Sequence, residues 1–268
     1  MNLENKVFVV TGGASGIGKE LTYELLTNGS KVAVVDINEQ SLKELYNDLI
    51  QFHDHLSIHC VDITSLEDVT KLSHILQNTY SNIDGVINNA GIIHPFKSVD
   101  ELTVGQIKRI IDVNFYGTLN MTKTFIPILM NNNESIIVNV SSMGSFVPVS
   151  GQTIYGASKA AVKLLTEGLI AELSNTNIRV MVVFPGGVGT NIMDNSGVTM
   201  SKKMITLRKV IKLTTPKTAA TKIIKGIRRN RKSLFIGIDS KFFYTISRIS
   251  PRLASYVMNK MMRIILND

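Results

Sequence analysis

Three side chains, Ser142, Tyr155 and Lys159, stand at spacings that suit proton exchange with an alcohol or a carbonyl compound. Lys159 follows Tyr155 by four residues, so a helix beginning near Tyr155 places phenol and ammonium one turn apart on one face. A free phenol has a pKa of about 10, and a nearby cation favours the phenolate, each tenfold gain in acidity being worth roughly 1.4 kcal/mol. Such a tyrosine takes a proton from an alcohol or, as phenol, returns one to a carbonyl oxygen. Ser142 supplies a hydroxyl to steady that oxygen. Taken alone, Tyr-x-x-x-Lys is a common pair on a solvated helix, and its meaning rests on the elements around it.

Those elements alternate. Residues 6–10 form an apolar run that ends in Thr11-Gly-Gly-Ala-Ser-Gly-Ile-Gly18 and passes into a helix-compatible segment. In a strand–turn–helix unit Gly12 permits the tight turn, Gly16 leaves room for backbone to approach a pyrophosphate, and Gly18 allows close packing. The spacing is not G-x-G-x-x-G. A second strand, 31–35, delivers Asp36, an acid able to accept both hydroxyls of an adenosine ribose and to repel a 2′-phosphate. No Lys or Arg follows it directly, and Ser15 in the loop is neutral, so NAD is expected over NADP.

A helix over 41–52 and a strand over 56–61 follow, with Asp62 placed to meet the adenine amino group and a capping box of Thr64 with Glu67 opening a helix to about Tyr80. Strand 83–87 runs into Asn88-Asn89-Ala90-Gly91, whose amides and small residues suit close passage beside a cofactor. Thr103 and Gln106 make another capping box before a helical region reaching Met130, in which Asn114 interrupts an apolar face and must find partners by a bulge or by water. Strand 135–140 delivers Ser142. Tyr155 opens a helix to about Ser174, and strand 179–184 ends at Pro185-Gly-Gly-Val-Gly-Thr190. There Val188 can flank a flat ring and Thr190 can hydrogen-bond a carboxamide. Residues 187–213 read as a mobile lid over the crevice. Thr215-Pro216 starts a helix to Arg229, and 234–238 is a seventh strand.

This order predicts an α/β fold of the Rossmann type, a doubly wound parallel sheet of about seven strands with helices on both faces, over residues 1–239. The motif residues then meet at the carboxyl ends of the strands. The single cysteine, Cys60, excludes an intramolecular disulfide, reads as a packed strand-end residue and suits the cytosol. His94 reads as structural or solvated, and the other histidines lack metal-ligand spacing, so no metal is expected.

The sequence resembles the short-chain dehydrogenase/reductase family in its glycine loop TGGASGIG, Asp62, NNAG at 88–91, Asn114, Ser142, Tyr155 with Lys159, and PGGVGT at 185–190. The resemblance implies hydride transfer between substrate carbon and nicotinamide, with Tyr155 as general acid/base and Ser142 binding the substrate oxygen. It further implies that Lys159 lowers the tyrosine pKa and holds the nicotinamide ribose, and that Asn114 anchors a water relay. Ile17 in the loop and Ile63 after Asp62 complete the expected cofactor contacts. Members are commonly homodimers or homotetramers. The expected substrate is a secondary alcohol or ketone, with a 3-oxoacyl thioester reductase using NADPH, or a non-catalytic dinucleotide sensor, as alternatives.

Charge is unevenly divided. Residues 1–200 hold 12 Lys and Arg against 19 Asp and Glu, whereas residues 201–268 hold 17 against 2. A basic tail points to an acidic partner or to compensation within an oligomer. Nucleic acid is not expected, because no reading motif accompanies the charge. The extension 240–268 is expected to be a basic amphipathic helical tail, in which a helix beginning at Ser250-Pro251 would set Leu253, Tyr256, Val257, Met261 and Ile264 on one face with Arg252, Lys260 and Arg263 at its margins. Such a helix either packs on its own domain or a neighbouring subunit, or lies on an anionic membrane, placing a cytoplasmic protein peripherally at a membrane's inner face. The assignment of chemistry is checked by Tyr155→Phe, which is expected to abolish turnover while leaving NADH binding by fluorescence titration nearly intact.

Overall fold

Five strands are continuous apolar runs rich in β-branched residues, the pattern of strands covered on both faces. They are β1 (Val7–Thr11), β2 (Lys31–Asp36), β4 (Gly85–Asn88), β5 (Ser135–Val140) and β6 (Ile178–Pro185). The half-exposed β3 (Leu56–Cys60) and β7 (Ser233–Ile236) close the edges. In the computed structural model, which describes residues 1–198 and 213–266, all seven lie parallel in the order β3-β2-β1-β4-β5-β6-β7. The order reverses between β1 and β4, opening a crevice at their carboxyl ends.

Alternate residues of β1 build the two layers. Phe8 and Val10 face one core with Leu21 and Leu25 of α1 (Gly16–Thr27), Leu42 and Leu45 of α2 (Glu39–Asp48), and Ile223 and Ile227 of a later helix, Pro216–Arg228. Val9 faces the other, with Leu72 and Leu76 of α3 (Leu66–Thr79), Phe125 of α5 (Thr118–Leu129) and Leu169 of α6 (Thr153–Glu172). Burying each such side chain contributes roughly 1.5–3 kcal/mol.

Helix starts follow local chemistry. The Thr103–Gln106 capping box opens α4 (Val104–Ile111) as expected, with side-chain to backbone bonds in both directions. The expected box of Thr64 with Glu67 does not form. Ser65 caps α3 by accepting from Asp68 N at 3.2 Å, while the Thr64 hydroxyl donates to Asp62 at 2.8 Å. Between α4 and α5 the ladder widens into a π-turn, Asp112–Gly117, centred on Asn114. This is the bulge that a buried amide required. Cys60 ends β3 but is exposed, because an edge strand offers nothing to cover it.

The chain continues through the short α7 (Ile192–Asn195), α8 (Pro216–Arg228), α9 (Ile238–Ile249) and α10 (Pro251–Leu266). Thr215 caps α8 with Pro216 in its first turn. β7 ends two residues before its expected boundary, and the expected C-terminal helical extension begins with α9 at Ile238, ahead of the helix start expected at Ser250. At 100° per residue Ile238, Phe242, Phe243, Ile246 and Ile249 fall in one arc, so α9 is amphipathic, and its inner edge packs on the body. α10 starts where expected, with Ser250 Oγ accepting from Leu253 N at 3.3 Å. Among the described residues no helix is long and apolar enough to cross a membrane.

A buried polar chain ties the sheet to its helices beneath the crevice. Asn88 Nδ2 donates to Thr122 Oγ1 (3.1 Å) and to Asn139 Oδ1 (2.8 Å), and Asn139 Nδ2 donates to Thr166 Oγ1 (3.0 Å). Asn139→Ala removes two of these bonds from a dry interior. It is expected to lower stability by roughly 1–3 kcal/mol, read as a lower urea midpoint at unchanged slope.

Candidate active site

The crevice holds two adjoining cavities of about 440 and 190 Å³, which share Gly12, Ser15, Ala90, Gly91 and Asn195 as walls. The glycine loop forms their common floor. Gly12 and Gly16 have φ of +60° and +52°, the region glycine adopts without strain. A Cβ on Gly18 would lie 2.0 Å from Gly12 O and 2.7 Å from Asn89 Nδ2, so the third glycine lets the loop fold onto its own helix. Asn89 braces it, donating from Nδ2 to Thr11 O (3.2 Å) and Gly12 O (3.1 Å). Ala90 N donates to Thr11 Oγ1 (3.1 Å). Of the two adjacent amides, Asn89 holds neighbouring backbone, whereas Asn88 turns to the side chains of Thr122 and Asn139.

The larger cavity brings together Asp36, Asp62 and Ile63. Asp36 is held by Ala14 N (3.2 Å to Oδ2) and Asn38 N (3.1 Å to Oδ1), which aim its carboxylate into the cavity wall. Asp62 accepts from Thr64 N and the Thr64 hydroxyl at 2.9 and 2.8 Å. Ile63 is seated against Gly117 of the π-turn, where a Cβ would lie 2.6 Å from its Cδ1. Lys108 and Arg109 also line this cavity, and Lys108 pairs with Asp112 at 2.6 Å. The walls therefore offer carboxylates to hydroxyls and amines at one end, and glycines and backbone to a passing diphosphate at the other, so they fit a dinucleotide.

The smaller cavity gathers Ile17, Ser142, Tyr155, Lys159, Val188 and Thr190. Ser142 leaves β5 to cap a short 3-10 turn, its Oγ accepting from Gly144 N at 3.1 Å. Gly144 is where serine and tyrosine converge, since a Cβ there would lie 3.6 Å from both Ser142 Oγ and Tyr155 Cε1. The half-buried phenol is pushed above its ordinary pKa by desolvation, and its hydrogen bond with Ser142 acts in the opposite direction. Lys159, which the resemblance implies lowers it, instead donates from Nζ to Val140 O (3.0 Å). The lysine is 3% exposed, and burial pushes its pKa down to about 8.

Asn114 stands behind these groups rather than among them. Fully buried, it donates to Ile92 O (3.0 Å) and Ser158 Oγ (2.9 Å) and accepts from Ile92 N (2.8 Å). A Cβ on Gly91 would lie 3.0 Å from Lys159 Nζ and 3.1 Å from Asn114 Oδ1, so glycine there makes room for the ammonium. His94 is buried, its Nδ1 bonded to Pro95 O at 2.7 Å, which makes it structural rather than solvated.

Two contributors carry no signal in the sequence. Asp239 in the first turn of α9 accepts from Gly187 N at 2.6 Å and fills the spaces that Gly186 and Gly237 leave, pinning the 185–190 loop. An acid opposite two glycines, one of them far away in sequence, follows no local pattern. Asn195 Nδ2 donates to Ser15 Oγ at 2.9 Å, and Ile93 N donates to Ser196 Oγ at 3.0 Å, so α7 crosses the crevice to its opposite wall. Residues 199–212 of the expected lid lie outside the described residues.

The doubly wound parallel sheet with a glycine-floored crevice at its switch point has the form of a dinucleotide-binding fold, and Ser142, Tyr155 and Lys159 gather in its smaller cavity. The family model for short chain dehydrogenases matches residues 6–200, and the chain belongs to that family. It is 36% identical over 202 residues to an uncharacterized oxidoreductase of Staphylococcus aureus, covering 75% of this chain and 86% of the relative. It is 30% identical over 254 residues to SadH of Mycobacterium tuberculosis, named as an oxidoreductase, with 92% of each chain covered.

Among solved structures, a short chain dehydrogenase/reductase of Burkholderia phymatum in complex with NAD has a TM-score of 0.85 at 21% identity, covering 95% of this chain and 97% of that one; this likeness shows the fold alone. A short chain dehydrogenase of Burkholderia cenocepacia in complex with NADP has a TM-score of 0.79 at 25% identity, with coverage of 96% and 99%. The 3-ketoacyl-(acyl-carrier-protein) reductase of Brucella melitensis complexed with NADH has 0.78 at 25%, with coverage of 88% and 97%. The chain is an oxidoreductase of this family; the Burkholderia cenocepacia structure holds NADP and the Brucella one NADH.

Lys159 sits in the folded state at a cost, since its pKa falls from 10.5 to about 8 by burial. The unfolded chain therefore binds the extra proton between about pH 8 and 10.5, and the stability contribution of this residue rises across that window. Lys159→Met is expected to abolish turnover yet raise stability at pH 7. The gain is about 3 kcal/mol from the pKa, reduced by roughly 1 for the lost bond to Val140 O. In urea unfolding followed against pH, the gain should shrink from pH 8 upward.

Proposed function

We propose that the protein transfers hydride between NAD(H) and a secondary alcohol/ketone pair of lipophilic character. The observation that carries the cofactor choice is Asp36, held by two backbone N–H groups at the end of β2 and lining the larger cavity. A carboxylate so fixed accepts from ribose hydroxyls and repels a 2′-phosphate. Lipophilic character is supported by the segment after Ser142, where Met143, Phe146, Val147 and Val149 pack with Phe96 into an apolar cluster beside the catalytic hydroxyl.

A nicotinamide held in the crevice would supply or accept the hydride at the substrate carbon. Tyr155 gives its phenolic proton to the carbonyl oxygen in reduction and takes it back in oxidation, while Ser142 Oγ hydrogen-bonds that oxygen. The high proton affinity that burial gives the phenol suits its acid form at neutral pH. Lys159 sets a positive charge beneath the site and would hold the nicotinamide ribose. The π-turn at Asn114 anchors the water relay that resupplies the proton, and the Asn114 amide fixes Ile92 and α6 around it. A second reading, reduction of a 3-oxoacyl thioester, draws on the likeness to the Brucella enzyme and on the basic tail.

Fluorescence titration tests the proposal. The wild type is expected to bind NADH at least tenfold more tightly than NADPH, and Asp36→Ala to bring the two affinities together. A wild type that prefers NADPH would refute the role given to Asp36 and favour the thioester reading, to be checked by turnover of a 3-oxoacyl thioester.

A further inference from the structure

Helices α9 and α10 form a hairpin that buries one side. Phe243 of α9 and Ala254, Met258 and Met262 of α10 pack on Val147, with Phe96, Met143 and Phe146 around them. At 100° per residue Ile238, Phe242 and Ile249 lie roughly 100–140° round α9 from Phe243, carrying its apolar arc out of the contact to solvent, and Ile238 and Ile249 are 91% and 81% exposed. The side of α10 turned from its buried methionines carries Leu253 and Tyr256, also exposed. This corrects the sequence reading: Val257 is partly packed against the body, the exposed Met261 lies at the border of the buried face, the Ile264 side chain lies outside the described residues, and α9 supplies half of the apolar surface.

Five cations, Lys241, Arg248, Arg252, Lys260 and Arg263, flank these apolar groups, and among the described residues none of them makes an ion pair. The single acid of the hairpin, Asp239, is turned inward to Gly187 N. An exposed apolar stripe edged only by positive charge matches an interface that is apolar beneath and anionic at its surface. A second copy docked face to face about a two-fold axis would oppose like charges. A nucleic acid or an acidic protein would answer the cations, but would leave Ile238, Phe242 and Ile249 without a reason to be bare.

We infer that the outward face of the α9–α10 hairpin lies on an anionic lipid surface, with the apolar stripe in the headgroup region and the cations among lipid phosphates and carboxylates. The buried side of the same hairpin packs on the segment following Ser142, so docking would set the substrate side of the crevice next to the bilayer. The inference rests on the hairpin alone and stands whichever substrate is turned over.

Co-sedimentation with phosphatidylcholine vesicles, with and without phosphatidylserine, tests it. The full chain is expected to pellet with the anionic vesicles only, and less so as salt rises. Arg252→Glu with Lys260→Glu, and separately Phe242→Ser with Ile249→Ser, are each expected to lower partitioning by roughly tenfold or more. All positions are exposed, and an unchanged NADH affinity in each variant verifies folding apart from the lipid result. A wild type that stays in the supernatant overturns the inference. Loss of binding in the charge variant alone, with the apolar variant unaffected, overturns it in favour of an acidic macromolecule. A change of sedimentation coefficient in the apolar variant, without vesicle binding by the wild type, overturns it in favour of a second copy.

Discussion

The burial of one ammonium group organises the middle of this molecule. Lys159 is 3% exposed, and a cation so placed needs acceptors, space and a rigid mount. Val140 O at the end of β5 is the acceptor, the missing side chain of Gly91 is the space, and α6 is the mount. Ser141 Oγ donates to Lys159 O at 2.8 Å and fixes that helix to the strand carrying Ser142. Asn114 closes the ring from the other side by holding both backbone groups of Ile92. The π-turn, which costs the α4–α5 segment its regular ladder, brings the amide there and gives Ile63 its seat through Gly117.

The same economy shapes the crevice. Glycines that look alike in sequence act differently: Gly12 and Gly16 turn the backbone, whereas Gly18 admits Gly12 O and Asn89. The polar chain Thr122–Asn88–Asn139–Thr166 spans helix, two strands and helix directly below, so the floor and the Ser142–Tyr155–Lys159 cluster share one rigid base. The 187–198 segment lines the same crevice with Val188, Thr190 and Asn195. It reaches the glycine loop by the Asn195–Ser15 bond, which a dinucleotide lying along the loop would have to share or replace.

The basic C-terminal segment is neither an appendage nor a second core. It covers the apolar residues after Ser142 with one side and, through Asp239, anchors the 185–190 loop. Its outward side is free for another contact because the inward side already satisfies the fold. α10 declares itself by its Ser-Pro start, whereas α9 follows β7 after a single glycine and has no side-chain cap to mark where it begins.

Much of this protein follows from short-range rules that the chain carries locally. Apolar β-branched runs could only be covered strands, the Thr103–Gln106 box could only open a helix, and the order of elements implied the parallel sheet and one shared edge for the glycine loop, Asp36, Ser142 and Tyr155. The neighbouring choice of Thr64 over Ser65 as cap fails because two adjacent hydroxyls can each cap, and Asp62 decides between them. Tertiary structure alone settled the electrostatics and the distant contacts. Spacing puts Lys159 a turn from Tyr155, but the phenol's raised proton affinity and the lysine's lowered one come from desolvation, a property of everything packed around them. Asp239 beneath Gly187, Gly91 beside Lys159 and the bare face of α9 depend likewise on residues far apart in the chain, whose meeting no local pattern encodes.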